Sequence, residues 1–261
     1  MYDIDRIRVV KIGGNVIDDP NALADFLEKF SRLAGPKVLV HGGGKEATRV
    51  ASGLGIEAVM IDGRRVTDAA MLDVCTMVYA GQINKRIVAA MQARGMDAIG
   101  LTGADGNAVT AVRRHPVPID YGFVGDIDPL DVNDRFLIRL LNAGMVPVIC
   151  AIMHDGNGQL LNCNADSVAS AVAMGLSRQV ATDLIFCFEK PGVLADVDRD
   201  DSLIRTIDGD SYVTLRASGV ISKGMIPKLE NAMNALRGGV SAVIIKSASN
   251  LLEAEGTVIT L

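Results

Sequence analysis

Lysines set against glycine turns are the residues of this chain best suited to chemistry. Lys11-Ile12-Gly13-Gly14 closes one apolar run, and His41-Gly42-Gly43-Gly44-Lys45 closes the next. Glycine has no Cβ, so its backbone N–H can approach an anion closely. A helix starting behind such a turn adds its positive N-terminal end. Lys228 stands near the start of another helical pattern, and Asp166, at a helix start of its own, could hold such lysines in place. Phosphoryl transfer asks for this set, because the protein must align donor and acceptor and neutralise developing charge. Either glycine turn alone is equally a plain strand end. Together with the lysines they point to phosphate.

Two other nucleotide readings compete. A Walker A loop is absent: Leu39 stands where its first glycine would be, and Glu46 where Ser or Thr would follow Lys45. A dinucleotide fold fits better, since Gly42-x-Gly44-x-x-Ala47 follows a strand and opens a helix, with Asp62 at the interval of a ribose-binding acid. That reading implies an NAD-dependent oxidoreductase. It leaves the Lys11–Gly14 turn and the Lys228 segment without a role, and sets Arg64 and Arg65 beside the ribose acid.

Composition narrows the partners. The 261 residues are 49% hydrophobic, enough for a large core in one domain or two joined lobes. A net charge of −5 argues against nucleic acid or an anionic membrane surface, and 4% aromatic residues with no Trp leaves little for base stacking. Cys75, Cys150, Cys163 and Cys187 lie far apart in apolar sequence, without a C-x-x-C pair. They read as reduced core residues of a cytoplasmic protein, neither a zinc site nor a disulfide frame. The N-terminus carries no apolar signal segment, and no stretch is long enough to span a membrane. Asp196, Asp198, Asp200 and Asp201 half-match a calcium loop, but Asp201 and Ile207 stand where Gly and Glu are required, so no metal site is expected. His41, His115 and His154 have no Cys or Ser nucleophile at a useful spacing, and none is assigned a catalytic role.

The elements that would position these residues alternate. Strands are expected at 7–12, 38–40, 58–61, 98–101, 145–151, 183–188, 241–246 and 257–261. Helices are expected after Pro20, from Lys45, over 68–92, from Asp131, from Asn164, over 211–218 and from 222–228. Short β-like runs at 108–112 and 117–119, and a turn at 155–158, read as hairpins over one end of the sheet. The resulting fold is a three-layer α/β/α sandwich with a mostly parallel central sheet, in one domain or two joined lobes. Ligands in such sheets bind at the carboxyl ends of the strands.

Six segments then carry a resemblance: V-K-I-G-G, V-H-G-G-G, G-R-R-V-T-D, N-C-N-A-D, E-K-P-G-V-L and K-G-M-I-P-K occur in the order and spacing of the amino acid kinase family. The resemblance covers nearly the whole chain and is strongest to the members acting on N-acylated glutamate. It implies ATP-dependent phosphorylation of that side-chain carboxylate, a step of arginine biosynthesis, with Mg²⁺ held largely by the ATP phosphates. Carried over, it makes Lys11 and Lys228 stabilisers of the transferring phosphoryl group and Asp166 their orienting carboxylate. Gly13, Gly14, Gly43 and Gly44 would hold phosphate and the attacked carboxylate, while Arg65 and Asn162 would grip the α-carboxylate and amide. Glu189, Lys190, Gly192, Val193, Leu194, Val220, Ile221 and Ser222 would line the nucleotide site. The resemblance also implies two lobes, 1–175 binding the acyl amino acid and dimerising, and 176–261 binding nucleotide.

Glu189 replaces the usual Asp, and the extra N-terminal helix of arginine-inhibited members is missing, so the resemblance implies an arginine-insensitive homodimer with the 68–92 helix in its interface. Arg64 stands where an apolar residue is usual. A second cation beside Arg65 suggests a second carboxylate, hence N-succinylglutamate as an alternative to N-acetylglutamate. A related kinase acting on carrier-linked aminoadipate shares the Y-G-F-V-G run at 121–125, but the R-V-T-D loop favours acylglutamate. A non-catalytic sensor of nucleotide and amino acid would not need Lys11, Asp166 and Lys228 together.

Overall fold

Strands Lys37–His41 and Val146–Cys150 are buried at every residue, as strands covered on both faces must be. They belong to an eight-stranded sheet in a computed structural model that describes residues 4–61, 63–221 and 225–261. From one edge the order is Thr206–Ile207, Thr257–Ile259, Ala242–Ser247, Ala181–Phe188, Arg6–Ile12, Lys37–His41, Val146–Cys150 and Ala98–Leu101. From Ala242–Ser247 onward all neighbours pair in parallel. Thr257–Ile259 runs antiparallel to Ala242–Ser247, and Thr206–Ile207 extends that edge. Strands from either side of residue 175 thus share one sheet.

Helices flank it. Pro20–Arg32 starts at Asp19, whose carboxylate accepts from the N–H groups of Asn21 and Ala22, and buries Phe26, Leu27 and Phe30. Ala165–Ser177, capped by Asn164, is nearly all small residues on its buried side and packs over Arg6–Ile12, Lys37–His41 and Ala181–Phe188. Gly175 lets it lie against Val132, whose Cβ sits 2.6 Å from where a side chain at 175 would begin. All four cysteines are buried and unpaired.

The structure departs from expectation in several connections. Residues 58–61 do not contribute a central strand. Met60–Ile61 instead folds back on Arg64–Arg65 as a small hairpin, with Gly63 at φ +74° in its turn. The 68–92 helix is continuous but not uniform: Ala69–Thr76 is α-helical, Met77–Ile83 is a π-helical segment, and Asn84–Gln92 is α-helical again. Residues 117–119 form no strand, because Pro116 and Pro118 remove ladder donors; the paired ribbon is Val112–Arg113 with Gly125–Asp126. The helix expected from Asp131 begins at Asp134, where Asn133 caps it by accepting from the Phe136 N–H.

Candidate active site

The carboxyl ends of the parallel strands converge on one place. Lys11 lies near the end of Arg6–Ile12, its side chain buried. Gly13 follows, anchored by its N–H to the Cys187 carbonyl at 3.0 Å, and helix Gly14–Asp18 begins at once. One strand over, Gly43 adopts φ +155°, and a Cβ there would fall 2.3 Å from Ile83 Cδ1 and 3.0 Å from Tyr79 Cδ1. Only glycine allows the backbone to turn so close under the long helix.

That turn rests on a buried polar network. His41 Nδ1 bonds the Gly42 carbonyl at 2.8 Å, and its Nε2 meets Asn84 Nδ2 at 3.1 Å. Asn84 also donates to the Val148 carbonyl at 2.9 Å. Burial, opposed by the Gly42 carbonyl and aided by the charge of Lys85, pushes His41 down to about 4. It is a neutral imidazole donating through Nδ1, a strut for the glycine turn.

Above the turns three charges meet. Lys11 Nζ lies 2.7 Å from Asp166 Oδ1, an ion pair without hydrogen-bond alignment, and Lys228 Nζ donates to Asp166 Oδ2 at 3.4 Å. Burial would raise the Asp166 carboxyl, but the two ammonium groups outweigh it and hold Asp166 below the ordinary carboxylate range. Lys228 is drawn below an ordinary lysine by burial and, to a lesser degree, by Lys11, against the pull of Asp166. Phe188 ends the neighbouring strand with its ring centroid 5.0 Å from Lys11 Nζ and 3.9 Å from Lys228 Nζ.

Beside this cluster opens a cavity of about 230 Å³, lined among others by Lys11, Gly14, Gly43, Gly44, Arg65 and Asn162. Arg65 is buried, with Nη2 donating at 2.8 Å to both the Gly44 carbonyl and Thr48 Oγ1. Among the described residues no carboxylate pairs with it, so a buried cation faces the cavity and suits an anionic ligand. Asn162 is held by its Nδ2 donating to Thr67 Oγ1 at 3.0 Å. Arg64, Tyr79 and Cys163 also line it.

Of the expected nucleotide residues Gly14 lines this cavity, while those at 189–194 and 220–221 are not part of its lining. Glu189 is near enough to Lys228 for its charge to raise that amine, and Lys190 pairs with Asp200 at 3.0 Å. Gly192 and Val193 pack against Thr257, whose hydroxyl accepts the Val193 N–H at 2.8 Å, and Leu194 is buried. Val220 is exposed and Ile221 buried. Ser222 lies outside the described residues, as does Asp62, the acid of the dinucleotide reading. The segment before Asp62 is outside the central sheet, which removes the strand end that reading requires. Neither Phe188, at the end of the expected strand 183–188, nor Tyr79, within the expected 68–92 helix, stood out as a site residue in the sequence. An aromatic closing a strand just before a Lys-Pro-Gly turn was the available signal for Phe188.

Residues 6–247 match the model of the amino acid kinase family. The chain belongs to the amino acid kinase family. Among family members similar to it, the acetylglutamate kinase of Cytophaga hutchinsonii is 52% identical over 95% of this chain and 94% of its own length. That of Phocaeicola vulgatus is 48% identical over 98% of each. Among solved structures, smu.665 from Streptococcus mutans covers 97% of this chain and 98% of its own at 27% identity and a TM-score of 0.81. The N-acetylglutamate synthase of Neisseria gonorrhoeae, complexed with coenzyme A and N-acetyl-glutamate, shares the fold at 23% identity and a TM-score of 0.83, covering 98% of this chain and 59% of its own.

Proposed function

We propose that this amino acid kinase transfers the γ-phosphoryl group of ATP to the side-chain carboxylate of N-acetyl-L-glutamate, a step of arginine biosynthesis. The observation that carries the reading is the meeting of Lys11 and Lys228 on Asp166 at the mouth of a cavity floored by Gly43 and Gly44. Curated acetylglutamate kinases at close to half identity over nearly the full chain support it.

A carboxylate oxygen of the substrate attacks the γ-phosphorus, the bond to the ADP oxygen breaks, and an acyl phosphate and ADP leave. The attacking carboxylate is already ionised near neutral pH, so no general base is needed. Asp166 accordingly serves as an orienting anion. Lys11 and Lys228 meet the charge that spreads over the equatorial oxygens of the transferring group. The amides of Gly14 and Gly44 hold phosphate and carboxylate, with Gly13 and Gly43 shaping the turns. Arg65 meets the α-carboxylate with its fork, and Asn162 the acyl amide.

Mg²⁺ would arrive with ATP and neutralise its phosphates. The donors fit that arrangement, since Asp166, the carboxylate of the cluster, is engaged by two ammonium groups. We further place the acyl amino acid with the first 175 residues, which supply the cavity lining among the described residues. Nucleotide falls to the remainder, along Glu189, Lys190, Gly192, Val193, Leu194, Val220, Ile221 and Ser222.

We place the long 68–92 helix in the contact of a homodimer, as the family resemblance implies. No helix is long and apolar enough to cross a membrane among the described residues, and we place the enzyme in the cytoplasm.

The test is purified protein with ATP–Mg²⁺ and acetylglutamate, with ADP release measured and the acyl phosphate trapped as its hydroxamate. Hydroxamate formation supports the reading. Its absence, or turnover of a nicotinamide cofactor without ADP, overturns it.

A further inference from the structure

Lys11, buried, and Lys228, half-buried, share one carboxylate in direct contact, so the cluster holds a surplus positive charge that Glu189 meets only through its charge on Lys228. A second carboxylate could balance it, but would occupy N–H donors that the transferring phosphoryl group needs. The face of Phe188 stands where such a counter-charge would be, 3.9 Å from Lys228 Nζ and 5.0 Å from Lys11 Nζ by its centroid. An aromatic face attracts a cation through its quadrupole without accepting a directed hydrogen bond from each N–H.

The ring is fixed in place. In the parallel pairing Lys11 lies opposite Phe186, which puts Phe188 two residues on along the same face. Phe186 is fully buried and stacks on Phe188 with centroids 6.3 Å apart and planes 9° from parallel. Gly13 makes room beside the ring: a Cβ there would stand 3.3 Å from Phe188 Cδ1. The glycine of the first phosphate turn therefore also seats the ring.

We infer that Phe188 is a positioning residue for phosphoryl transfer, a π platform shared by Lys11 and Lys228 that steadies both cations while leaving their N–H groups free for phosphate. The inference rests on the catalytic role proposed above for the two lysines. It assigns Phe188 to transition-state stabilisation rather than to substrate binding, so its loss is read in kcat and not in KM.

Replacing Phe188 by 4-fluoro-, 3,5-difluoro- and 3,4,5-trifluorophenylalanine withdraws charge from the ring face at nearly constant shape. With ATP and acetylglutamate, kcat should fall stepwise along this series while both KM values stay within about twofold. Phe188→Leu should lose about tenfold in kcat, and Phe188→Tyr should recover most of that loss. A flat kcat across the fluorinated series, or equal loss in Phe188→Leu and Phe188→Tyr, overturns the platform. The fluorinated series decides the matter even if Phe188→Leu does not fold. Lys11→Ala and Lys228→Ala are measured alongside. If these keep activity, the lysine reading fails; if they abolish it while the ring series stays flat, only the platform fails.

Discussion

Lys11 and Lys228, from opposite ends of the chain, lean on the two oxygens of a single carboxylate, Asp166, at 2.7 and 3.4 Å. Neither is an ordinary surface lysine. The shared carboxylate brings both ammonium groups to one point, where charge developing on a transferring phosphoryl group would meet them.

Removing either ammonium should therefore act on the chemical step. Lys11→Ala and Lys228→Ala are expected to lower kcat by about a hundredfold or more with small changes in KM, read in the ADP-release assay. The ammonium form is the active one, and Lys228 is held below its ordinary value, so activity should fall as pH rises through that lowered pKa. The alkaline limb of kcat/KM should thus begin below the 10.5 of a free lysine and be absent from the residual activity of Lys228→Arg.

Arg65 offers a buried guanidinium to the cavity while its Nη2 is tied to the first turn of helix Gly44–Gly53. Arg65→Lys loses the fork and should raise KM for acetylglutamate by about tenfold or more, leaving KM for ATP nearly unchanged.

Arg64 shares the cavity wall, and its charge is available to a carboxylate borne on the acyl tail. Arg64→Leu is expected to lower the ratio of kcat/KM for succinylglutamate to that for acetylglutamate by about tenfold. An unchanged ratio would mean Arg64 reads nothing in the acyl group.

Gly43→Ala meets two obstacles, a φ of +155° and a contact of 2.3 Å with Ile83 Cδ1. A loss of at least about 2 kcal/mol in urea unfolding, together with loss of activity, is expected.

His41 ties stability to acidity. Its folded pKa lies near 4 against 6.5 when free, because burial refuses the proton that the unfolded chain accepts. Its contribution is fully present above the unfolded value and is lost as pH falls below it toward the folded one. Between roughly pH 7.5 and roughly pH 5 the protein should lose about 2 kcal/mol of unfolding free energy through this group, and His41→Gln should flatten that slope.

The site was legible where short-range rules act. Apolar β-branched runs ending in glycine place Lys11 and Gly43 at strand ends, and Asn164 with Asp166 reads as a helix start. What eluded the sequence depends on pairing and on fine helical geometry. Met60 and Ile61 are as apolar as sheet residues, and only the partner chosen, Arg64–Arg65, sets them apart. Apolar residues at steps of three and four suit both α and π turns, so the segment Met77–Ile83 left no periodic trace. Phe188 reads as one more strand residue, and only the parallel pairing with Arg6–Ile12 brings it beside Lys11.

The wide turn at Met77–Ile83 has a bearing on how this chain can vary in length. Tyr79 and Ile83 press on Gly43 from within it, and Asn84 reaches His41 directly after it. Dropping one residue there would swing everything downstream by about 100° about the helix axis, carrying Asn84 off the imidazole. The chain can accept change of residue type along this rod far more easily than it can accept a shorter rod.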